Sequence, residues 1–167
     1  MQVSTDAIKQ LRETTRAGVI DCKNALIESN GDIEKACAIL TKRGIAIAQK
    51  KADRTAEQGL IESYVHLGGK VGTMVEVNCE TDFVAKTDEF KELAHNLALQ
   101  IAAMAPQYIS PDEISPESEE DPQTACLLLQ PFIKDPDKTI QELVTETIAK
   151  VGENIKIRRF TRFELGC

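Results

Sequence analysis

Residues 60–77 read LIESYVHLGGKVGTMVEV, and the pattern of this segment indicates the fold class. Two runs rich in β-branched residues, 60–66 and 71–77, roughly alternate between apolar and polar positions, which is typical of paired β-strands. The Leu67–Lys70 segment between them contains two consecutive glycines, so the pattern predicts a β-hairpin. These glycines resemble neither a P-loop nor a dinucleotide-binding loop, because no helix start follows them that could bind an anion.

Upstream of the hairpin, residues 1–54 have the spacing of three short helices. Apolar positions recur three or four residues apart, which places them on one face of each helix. These positions are Ile8 and Leu11, then Val19, Cys22, Ala25 and Leu26, and then Ile33, Ala36, Cys37 and Leu40. Asp32 is placed to cap the third helix, and Gly44 is expected to end it. We predict a minimal three-helix bundle, followed by a linker or a frayed helical extension at Lys50–Gly59.

Downstream of the hairpin the helical period returns. Thr87 or Asp88 is the expected N-cap of a helix that runs to Met104. Residues 105–137 hold all six prolines and an acidic run, so we predict a surface connection there. Within this connection we expect one short strand, at Cys126–Leu129.

The end of the chain completes the predicted core. Thr139 and Glu142 have the spacing of a capping box that opens the last helix, which Gly152 is expected to end. The tail Ile155–Leu165 alternates over most of its length, as a half-buried strand does. The sequence thus predicts an α+β fold, in which the helical bundle precedes a β-β-α-β-α-β core with a mainly antiparallel sheet at residues 55–167.

The composition excludes several function classes. The chain has 20 Lys and Arg against 27 Asp and Glu, a net charge of −7, and no segment is basic enough to make nucleic acid the main ligand. Lys156, Arg158 and Arg162 share one face of the last strand by parity, which is usually a solvated face. The chain has no apolar run long enough to span a membrane and no signal-peptide pattern at its start. We expect a cytoplasmic protein whose partners are proteins.

The five cysteines, at positions 22, 37, 79, 126 and 167, are odd in number, far apart and without a Cys-x-x-Cys pair. No histidine stands at metal-ligand spacing, so we expect no disulfide framework, no bound metal and no cofactor. Cys79 with His66 or His95 is the one thiol-based candidate for catalysis, and nothing local supports it. We expect no catalytic residues, with a small thiol-dependent enzyme as an alternative.

One feature of the second helix favours a protein partner. Ile20 lies one position off the buried stripe, so it and Ile27 are expected to leave apolar surface exposed beside Lys23. An apolar and basic edge of this kind on a small bundle is a reasonable docking surface.

A second such feature is the Thr81–Val84 turn, which places an aromatic ring next to a carboxylate between a strand and a helix. In one interpretation Phe83 closes over the core and Asp82 caps a helix. In the other, Phe83 is an exposed anchor mounted on rigid elements, which is what an interface needs. Spacing alone leaves both interpretations open.

Three groups of motifs resemble those of the bacterial translation elongation factor Ts family. They are Ile8–Thr15 with Asp21–Leu26 and Asn30–Ala36, then Asn78–Ala85, and finally Val151–Ile155 with Arg158–Phe160. The motifs occur in the family's order and span nearly the whole chain, which chance similarity does not explain.

This resemblance implies a nucleotide exchange factor for the GTPase EF-Tu, with a ubiquitin-associated-like bundle at residues 1–54 and an α+β core after it. The residues that would bind the GTPase are, by motif position, Arg12, Val19, Ile20 and Lys23. The turn that would wedge its Phe near the nucleotide site and disturb Mg²⁺ coordination there consists of Thr81, Asp82, Phe83 and Val84.

The chain also departs from the family pattern. Val19 and Ile20 stand where the family commonly has Met-Met, and Arg16 stands where it usually has Gly. The chain has a single copy of the core, so we expect a homodimer to complete the arrangement of longer members. A helical hairpin is expected to be missing between Pro111 and Leu127. The competing interpretation is a helix-bundle adaptor that binds another protein without exchange activity and without a need for Phe83.

Overall fold

The computed structural model describes residues 3–15 and 17–166. The departure expected at Arg16 therefore lies outside the described residues. Three helices, α1 (Thr5–Thr15), α2 (Val19–Glu28) and α3 (Ile33–Lys51), open the fold. They pack around a small buried cluster made of Leu11, Cys22, Ala25, Leu26 and Ala36. This arrangement confirms the predicted three-helix bundle.

Helix α3 begins as predicted and ends later than predicted. The Asp32 side chain accepts a hydrogen bond from the backbone N–H of Lys35 at 3.0 Å, so it is the N-cap. The prediction that Gly44 ends the helix is wrong, because the helix continues to Lys51 and Gly44 is buried within it. A Cβ placed on Gly44 would lie 3.6 Å from the Cβ of Ala149, an ordinary van der Waals distance, so Gly44 lies in the contact between α3 and the helix that contains Ala149.

The predicted hairpin consists of β1 (Gln58–Val65) and β2 (Val71–Cys79), which pair antiparallel. Strand β5 (Ile155–Glu164) pairs antiparallel with the other edge of β2. The sheet order is therefore β1-β2-β5. One face of this sheet is covered by α5 (Asp88–Met104), which Thr87 caps by accepting the N–H of Phe90 at 3.3 Å. Of the two N-caps proposed from the sequence, Thr87 is the correct one.

The core between the sheet and its helices is built mostly from aliphatic side chains, together with the fully buried Phe90. Helix α7 (Ile140–Val151) joins this core and packs against α3. Both predicted ends of α7 are confirmed, since the Thr139–Glu142 capping box forms and Gly152 ends the helix at φ 75°. The α+β class predicted from the sequence is thus confirmed.

The strand predicted at Cys126–Leu129 is wrong. The short helix α6 (Pro122–Ala125) and a 3₁₀ turn at Leu127–Leu129 occupy this region. The strands β3 (Pro131–Phe132) and β4 (Asp135–Thr139) follow and form a separate two-stranded sheet. A short run of apolar residues does not distinguish a strand from a turn buried in a core, because both need apolar side chains.

The predicted basic strip on the last strand is also wrong. Val77 pairs with Ile157 and Glu76 pairs with Arg159, so Arg158 is an extra residue that forms a β-bulge. The bulge reverses the facing of the residues beyond it. Arg162 consequently points to the helix-covered side, where its Nε donates to the carbonyl of Ala102 at 3.2 Å.

Among the helices that the structure describes, none is long and apolar enough to cross a membrane. The same described residues contain no cluster of three or more His, Cys, Asp or Glu side chains that could hold a metal ion.

Candidate partner-binding site

The turn after strand β2 carries an exposed aromatic ring. Residues Asp82–Ala85 form a single helical turn, α4, and the side chain of Phe83 in it is 78% exposed. The interpretation in which Phe83 closes over the core is therefore wrong, and the exposed-anchor interpretation is the one that fits. An exposed phenyl ring costs solvation free energy in the free protein, and a partner that covers it recovers that free energy.

The turn under Phe83 is held by buried neighbours and hydrogen bonds. Val84 and Ala85 belong to the buried core cluster. The Oγ1 of Thr81 accepts the backbone N–H of Val84 at 3.4 Å and so caps the turn. The hydroxyl of Thr87 donates to the carbonyl of Val84 at 2.7 Å, which ties α4 to the start of α5. Phe83 is thus an exposed side chain on an anchored backbone, and the anchored backbone reduces the entropy lost on binding.

Asp82 lies at the surface beside Phe83. Its carboxylate forms an exposed ion pair with the ammonium of Lys86 at 2.6 Å, one helical turn away. The hydrogen bond from Lys86 lowers the pKa of Asp82 below its ordinary value, so the carboxylate is ionised at neutral pH. The expectation that Asp82 caps a helix is wrong, because Thr81 provides the cap.

A second exposed surface lies on helix α2 and the facing part of α1. We call it the α2 patch, and its residues are Arg12, Val19, Ile20 and Lys23. Ile20 is 74% exposed and lies one helical turn from Lys23, and Ile27 continues the exposed apolar edge. Arg12 and Val19 line one small groove of about 280 Å³. The predicted combination of exposed apolar and basic residues is confirmed at this position.

The structure keeps the two surfaces on different parts of the molecule. The residues beneath the α2 patch belong to the cluster around Leu11, whereas Val84 belongs to the cluster around Phe90. Helix α3 links the two, because its later residues pack against α7. A cleft of about 940 Å³ lies beside this α3–α7 contact, lined by residues of the bundle, Arg12 among them, and by residues of the core.

The thiol-based alternative has the wrong geometry. Cys79 is fully buried, and its Sγ donates to the carbonyl of Thr81 at 3.1 Å. Burial and the nearby Glu153 carboxylate raise the pKa of this thiol to about 11, so it is protonated at neutral pH. His66 contacts the hydroxyl of Tyr64 through Nδ1 at 3.0 Å rather than the thiol. His95, the other proposed base, contacts the carboxylate of Glu62 through Nδ1 at 3.1 Å. Neither histidine is recorded in contact with the thiol among the described residues, so we interpret Cys79 as a structural residue.

The face of the sheet opposite α5 is the third exposed surface. Cross-strand pairing places Ile61, Val65, Met74 and Phe163 on this face, and all four side chains are exposed. At one side of them the Arg159 guanidinium pairs with the carboxylate of Glu76 at 2.7 Å. Polar residues share this face, since Met74 lies between Ser63 and Thr161. A sheet face that exposes several large apolar side chains among polar ones is a common feature of protein interfaces. We refer to it below as the open sheet face.

Glu153 contributes to the site, although no role was predicted for it from the sequence. The carboxylate of Glu153 accepts both the backbone N–H and the hydroxyl of Thr81. Glu153 lies within the Val151–Ile155 motif, which was recognisable by its resemblance alone. The separation of 72 residues between the two partners left no local pattern by which the contact could be predicted.

A protein-family model described as "Elongation factor TS" matches residues 1–124. The elongation factor Ts of Carboxydothermus hydrogenoformans is 48% identical over 194 aligned residues, which cover 98% of this chain and 89% of that protein. The elongation factor Ts of Caldanaerobacter subterraneus subsp. tengcongensis is also 48% identical, with coverage of 98% and 97%.

The elongation factor Ts of Thermotoga maritima gives the same result, at 47% identity with coverage of 99% of this chain and 98% of that protein. Each alignment is longer than the 167 residues of this chain. The relatives therefore contain residues that have no counterpart here, which agrees with the expectation that a segment is missing.

Proposed function

Since the chain belongs to the elongation factor Ts family, we propose that it is a guanine nucleotide exchange factor for the GTPase EF-Tu in translation elongation, acting in the cytoplasm. The observation that carries this proposal is the exposed Phe83 ring on an anchored turn. An exchange factor makes and breaks no covalent bond, so it needs complementary surfaces rather than a nucleophile or a bound cofactor. We assign it no catalytic residues and no nucleic-acid ligand.

In the first step the α2 patch docks on the GTPase. The side chains of Val19 and Ile20 are exposed in the free chain. Binding removes their apolar surface from water, which favours the complex. Lys23 and Arg12 add positive charge, which favours approach to an acidic surface and fixes orientation. The bundle at residues 1–54 thus acts as the docking module, and residues 55–167 act as the exchange module.

In the second step the Thr81–Val84 turn acts near the nucleotide. Phe83 inserts between elements of the GTPase, while Thr81 and Val84 keep the backbone of the turn in place. Asp82 brings a negative charge close to the bound Mg²⁺ and phosphates. Displacement of Mg²⁺ uncovers phosphate charge that the ion had neutralised, so GDP leaves faster.

The direction of exchange follows from linkage. The factor and GDP each weaken the binding of the other by the same ratio, because coupling free energy is reciprocal. The factor must therefore bind the nucleotide-free GTPase more tightly than the GDP-bound form. Abundant GTP then displaces the factor and completes the cycle.

A second copy of this chain is the partner that we propose for the open sheet face. A two-fold axis through this face would pack two antiparallel sheets against each other, with Phe163 and Ile61 from both copies in the interface. The four exposed apolar residues on the face support this assignment. Such a homodimer supplies the second core copy that a chain with one copy lacks.

The experiment that tests the exchange function is the release of a fluorescent GDP analogue from EF-Tu, with and without the chain. Accelerated release is the expected result. If the chain binds EF-Tu and the release rate is unchanged, the adaptor interpretation replaces the exchange function. Binding measured separately by a pull-down with purified EF-Tu distinguishes this outcome from a failure to bind at all.

A further inference from the structure

The Val151–Ile155 motif has no role in the steps described above, although it is one of the motifs that the chain shares with the family. It lies between the end of α7 and the start of β5. Gly152 has φ 75°, a left-handed conformation that a glycine adopts without strain, and the turn directs the next two residues back into the fold. The side chains of those two residues, Glu153 and Asn154, make long-range contacts in opposite directions.

Glu153 binds the first residue of the Thr81–Val84 turn, which we call the Phe83 turn. Its Oε2 accepts the backbone N–H of Thr81 at 2.9 Å, and its Oε1 accepts the hydroxyl of Thr81 at 2.6 Å. The same hydroxyl accepts the N–H of Val84, so one carboxylate orients the group that caps α4. Charge-assisted hydrogen bonds to both donors of one residue fix its position more firmly than a single bond does.

Asn154 binds the chain that follows helix α3. Its side-chain amide donates to the carbonyls of Ala52 and Arg54, at 3.2 and 2.8 Å, and the residue is buried. The ammonium of Lys51, the last residue of α3, donates to the carbonyl of Gly152 at 2.6 Å. The motif therefore holds the end of the helix through which the bundle joins the core.

Glu80 closes the connection between these two sets of contacts. One carboxylate oxygen accepts the backbone N–H of Asn154 at 2.7 Å, and the other pairs with the guanidinium of Arg54 at 3.4 Å. Glu80 directly precedes Thr81 in the chain. The end of α3, the Gly152–Asn154 turn and the start of α4 are thus linked by hydrogen bonds.

We propose that Glu153 is a positioning residue for Phe83, and that with Asn154 it fixes the Phe83 turn relative to the end of helix α3. This inference rests on the proposed exchange function. The bundle that carries the α2 patch and the ring that acts near the nucleotide are then held at one geometry. Binding through the α2 patch delivers Phe83 to its target without a search over orientations, which is how pre-organisation accelerates a bound step.

The chemistry of the contact requires a hydrogen-bond acceptor at position 153 for the backbone N–H of Thr81. Thr81 presents two donors, and without Glu153 its backbone N–H would lose its partner in a partly buried site, which is costly. An Ala at position 153 would release the turn while leaving Phe83 and the α2 patch chemically intact.

The test is single-turnover release of fluorescent GDP from EF-Tu over a range of factor concentrations, with the full chain and its Glu153→Ala variant. We expect the saturating rate to fall about tenfold or more, because the ring is no longer held in place. We expect the half-saturating concentration to change by less than about threefold, because the α2 patch is untouched. Glu153→Gln keeps an acceptor oxygen and an amide that can donate to the Thr81 hydroxyl, so it should stay within about threefold of the original rate.

Two further variants separate positioning from a general loss of stability. Val144→Ala shortens a buried side chain on α7 in the same core cluster, and it should lower the melting temperature without changing the saturating rate. In a Phe83→Ala background, Glu153→Ala should cause no additional loss of rate beyond about twofold, because there is no ring left to position. A loss that multiplies in that background would overturn the proposal, as would a Glu153→Ala variant that releases GDP at the original saturating rate.

Amide hydrogen exchange on the full unmutated chain provides a readout that needs no variant to fold. The proposal requires the Thr81 N–H to be protected to the same degree as the N–H groups of the α5 core, since Glu153 binds it. Exchange of the Thr81 N–H at the rate of an open loop would contradict it. This readout is independent of EF-Tu. Failure of the Glu153–Thr81 contact is therefore distinguishable from failure of the exchange function.

Discussion

Phe83 and Val84 are adjacent in the chain, yet the Phe83 side chain is 78% exposed and the Val84 side chain is 9% exposed. The single turn of helix α4 causes this difference, because consecutive residues on a helix point about 100° apart. Val84 is inserted into the core and fixes the backbone that presents Phe83. Val84 therefore contributes to stability and Phe83 to partner binding, so substitutions at the two positions should affect different properties.

The first prediction concerns this pair. Phe83→Ala should change the free energy of unfolding by less than about 0.5 kcal/mol, because the ring is exposed. Val84→Ala should lower it by about 1–2 kcal/mol, because it removes buried apolar groups from a packed core. Urea denaturation followed by circular dichroism measures both values. A large loss of stability in Phe83→Ala would show that the ring packs on the core in solution.

The α2 patch gives the second prediction. Ile20→Asp should weaken binding to EF-Tu by roughly 10- to 100-fold, mainly through faster dissociation, since it puts a charge in the apolar contact. Lys23→Ala should mainly slow association, with an effect that shrinks as salt rises. Surface plasmon resonance at two salt concentrations separates the two rates. Leu67→Asp, a change in the exposed β1–β2 turn, is the matched control and should bind as the original chain does.

Dimerisation through the open sheet face is the third prediction. Phe163→Asp should shift the chain from dimer to monomer. A two-fold symmetric interface contains the substituted residue from both copies, so one substitution places two charges in the apolar contact. The charge lies on the exposed side of the sheet, so the melting temperature of the monomeric unit should change little. Size-exclusion chromatography with light scattering measures the mass. An unmutated chain that is monomeric at high micromolar concentration contradicts this assignment.

The fourth prediction concerns acid sensitivity. The N–H of Asn154 and the charge of Arg54 hold the pKa of Glu80 below its ordinary value of 4.5. A carboxyl group with a lowered pKa in the folded state stabilises that state fully above about pH 4.5, and the contribution is lost as the pH falls below that value. Glu80→Gln should therefore reduce the loss of unfolding free energy between pH 6 and pH 3.5. An equal loss of unfolding free energy in the unmutated chain and in Glu80→Gln would contradict the link between Glu80 ionisation and stability.

Local patterns were sufficient to predict most elements of the fold. The alternating strands around Leu67–Lys70, the Asp32 cap and the Thr139–Glu142 capping box depend on residues near one another in the chain, and all three are confirmed. The exposed Ile20 edge was predictable for the same reason, because helical spacing alone shows which residues leave the buried stripe.

The failures have a common physical cause, which is that distant contacts override local pattern. Gly44 lies within α3 in the contact with Ala149, so it ends no helix, and Arg162 faces inward because a bulge at Arg158 reverses the parity of the strand. The orientation of Phe83 was open for a similar reason. Its turn is held by Glu153 from the far end of the chain, and no short-range pattern contains that contact.

The most direct test of the central claim is stopped-flow release of fluorescent GDP from EF-Tu, with the unmutated chain and Phe83→Ala, at low and high free Mg²⁺. We predict a saturating rate roughly 10- to 100-fold lower for Phe83→Ala at high Mg²⁺. The difference should be smaller at low Mg²⁺, where the ion that the turn displaces is already absent. Equal saturating rates for the two proteins at high Mg²⁺ would contradict the claim that Phe83 drives exchange.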